Sequence, residues 1–150
     1  MEIKATTDYR EILEKDGVLA QLPVGFSMYP MLRQKHDTVV IEKINEKPKE
    51  NDVVFYQKDN GKYVLHRVIK VEKEGYIIRG DNCFFNEYDI KDKHILGILK
   101  GFYRGEKYVD CQTNKKYKIY VFFNRSSYYV RYFLHSVRSL LSKIKRKIIK

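Results

Sequence analysis

Three short segments of this chain hold residue types that together can carry out acyl transfer. Gly25-Phe26-Ser27-Met28-Tyr29-Pro30 sets a serine in a loop bracketed by glycine and proline. Tyr63-Val64-Leu65-His66-Arg67-Val68 places a histidine in a run of strand-forming residues, and Arg79-Gly80-Asp81-Asn82 offers a carboxylate after the next apolar run. A serine hydroxyl is almost fully protonated near neutrality and becomes a useful nucleophile only with a base in hydrogen-bonding reach. Histidine titrates near neutrality and fills that role without deep burial. A carboxylate on its second nitrogen fixes the tautomer and stabilises the imidazolium. Ser27 is therefore the candidate nucleophile, His66 the base and Asp81 the orienting acid. Taken singly, each has a plainer reading: a surface-turn serine, a structural strand histidine and an Asx turn. Their co-occurrence favours chemistry.

The elements that must position these residues read mainly as β structure, with a short helix at each end. Asp8 to Asp16 has the pattern of a short amphipathic helix, capped by Asp8 or Thr7, with Glu11 in the first turn and Gly17 as its stop. Thr38–Ile41 and Asp52–Tyr56 read as strands, and Asp59-Asn60-Gly61-Lys62 predicts a hairpin with a type I′ turn. The second arm, from Lys62 to Glu72, carries His66; alternation along it sends His66 and Arg67 to opposite faces. Tyr76–Arg79, Ile95–Tyr103 and Lys116–Phe123 read as further strands. From Ser126 the period changes. Tyr129, Phe133, Val137, Leu140, Ile144 and Ile148 recur at helical spacing, which predicts a basic amphipathic helix over 126–150 beside a domain of residues 1–125.

At 150 residues and 43% hydrophobic, the chain suffices for one globular domain with its own core. Residues 1–110 hold 19 basic and 19 acidic side chains, whereas residues 111–150 hold 11 basic and none acidic. The whole net charge of +11 belongs to that last segment, so its partner should be anionic. An interfacial helix on an anionic membrane and a helix packed on its own domain are the two readings; the lack of any Glu favours the membrane. Neither a signal peptide nor a membrane-spanning helix is expected, since Met1–Leu13 is charged and the longest uncharged run, 17–32, is broken by Pro23, Gly25 and Pro30. A peripheral membrane or cytoplasmic location follows as the expectation. Cys83 and Cys111 have no zinc-site spacing, and His36, His94 and His135 fall in different elements, so neither a metal nor another cofactor is expected. His36-Asp37 reads as a solvated turn, and Cys83 as a small apolar residue near the cleft.

Gly-x-Ser-Met-x-Pro, then a strand with His66-Arg67, then Gly80-Asp81-Asn82 and the closing Ile95-Leu96-Gly97-Ile98, resembles the type I signal peptidase superfamily, to which the self-cleaving SOS repressors also belong. The resemblance runs from about Pro23 to Gly101. It implies a bent β-sheet domain and a serine endopeptidase that cleaves an extended preprotein or leader peptide through an acyl-enzyme. His66 stands where most bacterial members carry lysine, which is similar to the endoplasmic-reticulum and archaeal branch. Some His-type members place the acid slightly after the Gly-Asp-Asn box, so Glu87 and Asp89 rival Asp81. Many members also place a hydroxyl two residues before the nucleophile; here Gly25 stands there, which implies a backbone oxyanion donor such as the Ser27 N–H. Nucleic acid is not an expected partner, because no helix-turn-helix pattern precedes the peptidase-like segment. The competing reading is an inactive peptidase-fold module that binds an anionic surface through its tail.

Overall fold

The structure, a computed structural model, describes residues 8–148, the last two through their backbone alone. The chain divides into two compact units, one ending at Lys115 and the other beginning at Lys116. The first opens with helix α1 (Tyr9–Asp16), followed by β1 (Val18–Gln21), β2 (Asp37–Lys43), β3 (Val53–Gln57), β4 (Tyr63–Glu72), β5 (Gly75–Arg79), β6 (Glu87–Ile90), β7 (Ile95–Arg104) and β8 (Lys107–Asp110). The expected, mainly β character is what forms: all eight strands join one antiparallel sheet in the order β1-β2-β7-β3-β4-β5-β6, with β8 also on β7. β7 pairs with three other strands. β2 lines one side of it along its length, while β3 takes its first half and β8 its second half on the other.

Local chemistry accounts for the ends of α1. The Asp8 carboxylate accepts from the Arg10 N–H, and Gly17, at φ +72°, closes the helix with its N–H on the Leu13 carbonyl. Thr7, the other cap candidate, lies outside the described residues. The Tyr9 ring meets Phe55 and Tyr63 edge-on, with centroids 5.7 and 4.9 Å away, so α1 is anchored beside the β3–β4 hairpin. That hairpin forms where expected but with a different turn. Among its turn residues only Gly61 has a positive φ, and Lys58 bonds both ways, its N–H to the Lys62 carbonyl and its own carbonyl to the Gly61 N–H. This is a type I turn followed by a left-handed glycine, the three-residue loop rather than the two-residue type I′.

Register then carries one face across four strands, β3 to β6. His66 lies opposite Val54, Val68 opposite Ile78, and Ile78 opposite Glu87. Residues directly opposite share a face, and alternate residues along a strand do too. His66 and Glu87 therefore belong to the face whose buried cluster includes Val54, Tyr56, Val68, Ile78 and Ile95. Arg67, opposite Arg79, belongs to the other face.

Two expectations are corrected. The segment 116–123 is not a strand but lies in helix α2 (Lys115–Ser126), where Tyr117, Val121 and Asn124 are buried at spacings of four and three. Its alternating and helical patterns overlap, and twelve residues of apolar-rich sequence accommodate a helix as readily as a strand. Helix α3 (Tyr128–Ile148) follows as a separate helix and forms inside the 126–150 segment expected to be helical. Asp37, expected in a solvated turn, is fully buried at the start of β2. Its carboxylate accepts from Arg104 Nε at 2.9 Å, Arg104 Nη2 at 2.7 Å and the Arg33 N–H at 2.8 Å.

Candidate active site

Ser27 sits half-buried in the loop between β1 and β2. Met28, Met31 and Leu32 of that loop are buried, which fixes it to the domain, while Val24 and Phe26 stand out in solvent. Polar contacts hold the loop at both ends. The Asn82 N–H donates to the Ser27 carbonyl at 2.7 Å, and Asn82 Nδ2 donates to the Phe26 carbonyl at 3.2 Å. At the far end, Arg104 Nη2 donates to the Met31 carbonyl at 2.8 Å. The Ser27 N–H has no acceptor among the described residues, so it remains available to an oxyanion.

His66 is buried in the middle of β4. Its Nδ1 lies 3.1 Å from Glu87 Oε1 and 3.3 Å from the Tyr56 hydroxyl. The Tyr56 hydroxyl donates to Glu87 Oε2 at 3.0 Å, and Lys58 ion-pairs with the same carboxylate. With Nδ1–H donated to Glu87, the lone pair sits on Nε2, the nitrogen a base would use. Burial pushes the His66 pKa below its ordinary value despite the opposing pull of Glu87, so the ring is neutral near pH 7. Burial works against the Glu87 charge as well, but Lys58, His66 and Tyr56 outweigh it and hold the carboxyl below its usual range. The Tyr56 hydroxyl is driven far up, first by burial and then by Glu87, and stays protonated as a donor.

Ser27 and His66 line one cleft of about 610 Å³, together with Leu22, Val24, Phe26, Cys83, Phe85 and Glu87. Their side chains do not hydrogen-bond to each other. Gly80 is the point where their elements converge: a Cβ there would lie 2.7 Å from the Ser27 carbonyl oxygen, 2.8 Å from Cys83 Sγ and 3.0 Å from His66 Nε2. Only glycine admits that approach. Catalytic hydrogen bonds without substrate are often long or unformed and tighten on binding.

Asp81 is not the acid at His66. Its two oxygens accept from Arg67 Nε and Nη2, both at 2.7 Å, in a bidentate pair buried almost completely. Arg67 also donates from Nη1 to the Asn51 carbonyl at 2.7 Å and from Nη2 to Met31 Sδ at 3.2 Å. The reason is register: Arg67 faces away from the cleft, and Asp81 follows it to that face. Glu87, one of the rivals, takes the Nδ1 position; Asp89 is exposed. The Gly80-Asp81-Asn82 box thus acts as scaffold. Glycine gives clearance, aspartate clamps the strand arginine, and asparagine holds the serine loop.

The sequence reading missed Tyr56 and Lys58. Tyr56 was within reach of it, because the hairpin places Tyr56 opposite Val64, on the His66 face and diagonal to it. His94 is structural: its Nδ1 accepts from the Lys91 N–H at 2.9 Å and its Nε2 lies 3.1 Å from Asp59. Among the described residues no group of His, Cys, Asp or Glu is arranged to hold a metal ion, and no helix is long and apolar enough to cross a membrane. No protein-family profile, curated protein or solved structure matches this chain.

Proposed function

We propose that the protein is a serine endopeptidase of the signal peptidase kind, with Ser27 as nucleophile, His66 as base and Glu87 as the carboxylate behind it. The observation that carries this reading is the buried, neutral His66, held by Glu87 through Nδ1, beside a cleft that it shares with Ser27. His66 combines an anionic partner on Nδ1 with a place in the cleft that Ser27 also lines, whereas His94, paired with Asp59, lies outside that cleft. The bent signal-peptidase sheet belongs to the same proposal. It is supported by the single antiparallel sheet and by the order of the three motifs.

In the proposed reaction an extended peptide lies in the cleft, where the exposed apolar side chains of Leu22, Val24, Phe26 and Phe85 offer shallow contacts. Ser27 Oγ attacks the scissile carbonyl while its proton passes to His66 Nε2. The imidazolium that forms is stabilised by Glu87, and the oxyanion by the Ser27 N–H. His66 then protonates the departing amine and leaves an ester on Ser27. Water attacks that ester and gives its proton to the same nitrogen; His66 then returns that proton to Ser27 Oγ as the intermediate collapses, which releases the acid and the free serine.

The test is intact-mass analysis after treatment with a β-lactam-type or lipopeptide acylator of signal peptidases. One adduct on the wild-type protein, absent from Ser27→Ala and His66→Ala, is expected. An adduct that persists in Ser27→Ala, or none on folded wild-type protein, overturns the proposal and favours an inactive peptidase-fold module.

A further inference from the structure

Helix α3 carries the strongest feature that the catalytic reading leaves unused. Over its 21 residues, Tyr129, Phe133, Leu134, Leu140, Leu141 and Ile144 are all exposed, Tyr129 at 79% and Phe133 at 66%. On a helix of 3.6 residues per turn these six fall within an arc of about 140°. Arg131, Arg138, Lys143, Lys145 and Arg146 fall on the remaining arc, and Lys147 falls at the edge where the two arcs meet. The helix is therefore divided lengthwise into an apolar face and a cationic face. Ile148 ends α3, but its side chain lies outside the described residues.

We infer that α3 lies in the interface of an anionic phospholipid bilayer, parallel to its surface, with the Tyr129–Ile144 face among the acyl chains and the lysines and arginines at the headgroup phosphates. Charge decides between the occupants that an exposed apolar face can take. Residues 111–150 contain 11 basic and no acidic side chains. A second copy laid on this face would bring two such cationic flanks together, which is repulsive. Nucleic acid would satisfy the charges but leave the apolar arc in water. An anionic bilayer satisfies both faces at once. The division of the helix also explains why it lies on the bilayer instead of crossing it, since a spanning helix must be apolar on all sides. This inference is independent of the catalytic reading, and Ser27→Ala should leave it untouched.

The experiment uses the full chain with vesicles of phosphatidylcholine alone or with phosphatidylglycerol at about one lipid in three. The protein contains no tryptophan, so Phe133→Trp on the apolar arc and Arg138→Trp on the polar arc each supply a single fluorescent reporter. Flotation with the anionic vesicles is expected, at least about tenfold stronger than with neutral ones. Binding should weaken as salt rises from about 0.1 M to about 1 M and the Debye length shrinks from about 10 Å to about 3 Å. Emission from the Phe133→Trp protein should shift to the blue and be quenched by brominated acyl chains, whereas that from the Arg138→Trp protein should do neither. Leu140→Ser with Leu141→Ser should lower partitioning by at least about tenfold, with circular dichroism and an unchanged urea midpoint confirming an intact protein. Absence of flotation at low salt overturns the inference. So does binding indifferent to the Leu140/Leu141 substitutions, which would be adsorption by charge alone. A blue shift of the Phe133→Trp protein as a dimer without lipid would instead assign the face to a second copy.

Discussion

At the scale of single residues, the site turns on two carboxylates with different tasks. Glu87 faces His66 and Asp81 faces Arg67, so their substitutions should separate chemistry from stability. The proposed base acts as neutral imidazole, so kcat/KM should rise with pH through an apparent pKa below the ordinary histidine value of 6.5. Glu87 opposes the effect of burial on that ring. In Glu87→Gln the rising limb should therefore move to still lower pH, and the plateau should fall by about 10²- to 10⁴-fold as the imidazolium loses its stabiliser. A pH–rate profile on a peptide ester checks both; an unmoved limb would mean that Glu87 does not act on His66. Asp81→Asn should behave differently. It leaves a guanidinium buried beside a neutral amide, a change that costs about 3–5 kcal/mol. Urea unfolding should show that loss, while the pH profile of the remaining folded protein should move less than in Glu87→Gln, because Asp81 raises the His66 pKa only from a distance and after Glu87.

At the scale of elements, the decisive contact is the approach of the Gly80 backbone to the serine loop and to strand β4. Gly80→Ala would place a methyl group 2.7 Å from the Ser27 carbonyl oxygen, a backbone atom tied to the Asn82 N–H and unable to swing aside. The loop must shift, and a misplacement of about 1 Å can cost about 10²-fold in rate. We expect Gly80→Ala to lose acylation by that order while keeping its far-ultraviolet circular dichroism, because the strand pairs on either side do not involve Gly80. Equal rates in the two proteins would show that the loop tolerates displacement.

At the scale of the whole molecule, stability should decline with acid in two steps. Unfolded His66 takes its proton near pH 6.5, whereas the folded ring takes one only at lower pH. Between those values the unfolded chain binds more protons, so stability is full above about pH 6.5 and falls as the pH drops below it. Asp37, held below the usual range by Arg104 and Arg33 against the effect of burial, and Glu87 have depressed carboxyl pKa values. Their contribution is present above the unfolded carboxylate range and is lost as the pH falls through the folded values. The urea midpoint should therefore begin to fall below pH 6.5 and drop more steeply below about pH 4.5. His66→Gln should remove the first step and, because His66 is one of the groups that hold the Glu87 carboxyl down, also weaken the second.

What the sequence determined by itself was local or short in range. The caps of α1, the hairpin arms on either side of Lys58–Lys62, the alternation that separates His66 from Arg67, and the amphipathic division of α3 all depend on neighbours a few residues apart. The candidate pair of Ser27 and His66 was legible from residue type and motif order, and the structure brings both to one cleft. Helix α2 was not, because Lys116–Phe123 fits both periods and nothing local chooses between them. Nor could the residues say which acid meets the histidine. Asp81, Glu87 and Asp89 lie within nine positions of one another, and each follows β5. Only tertiary pairing decides among them. The register of β4 with β5 turns Asp81 toward Arg67, and that of β5 with β6 turns Glu87 toward His66, since shifting a strand by one residue reverses every side chain on it.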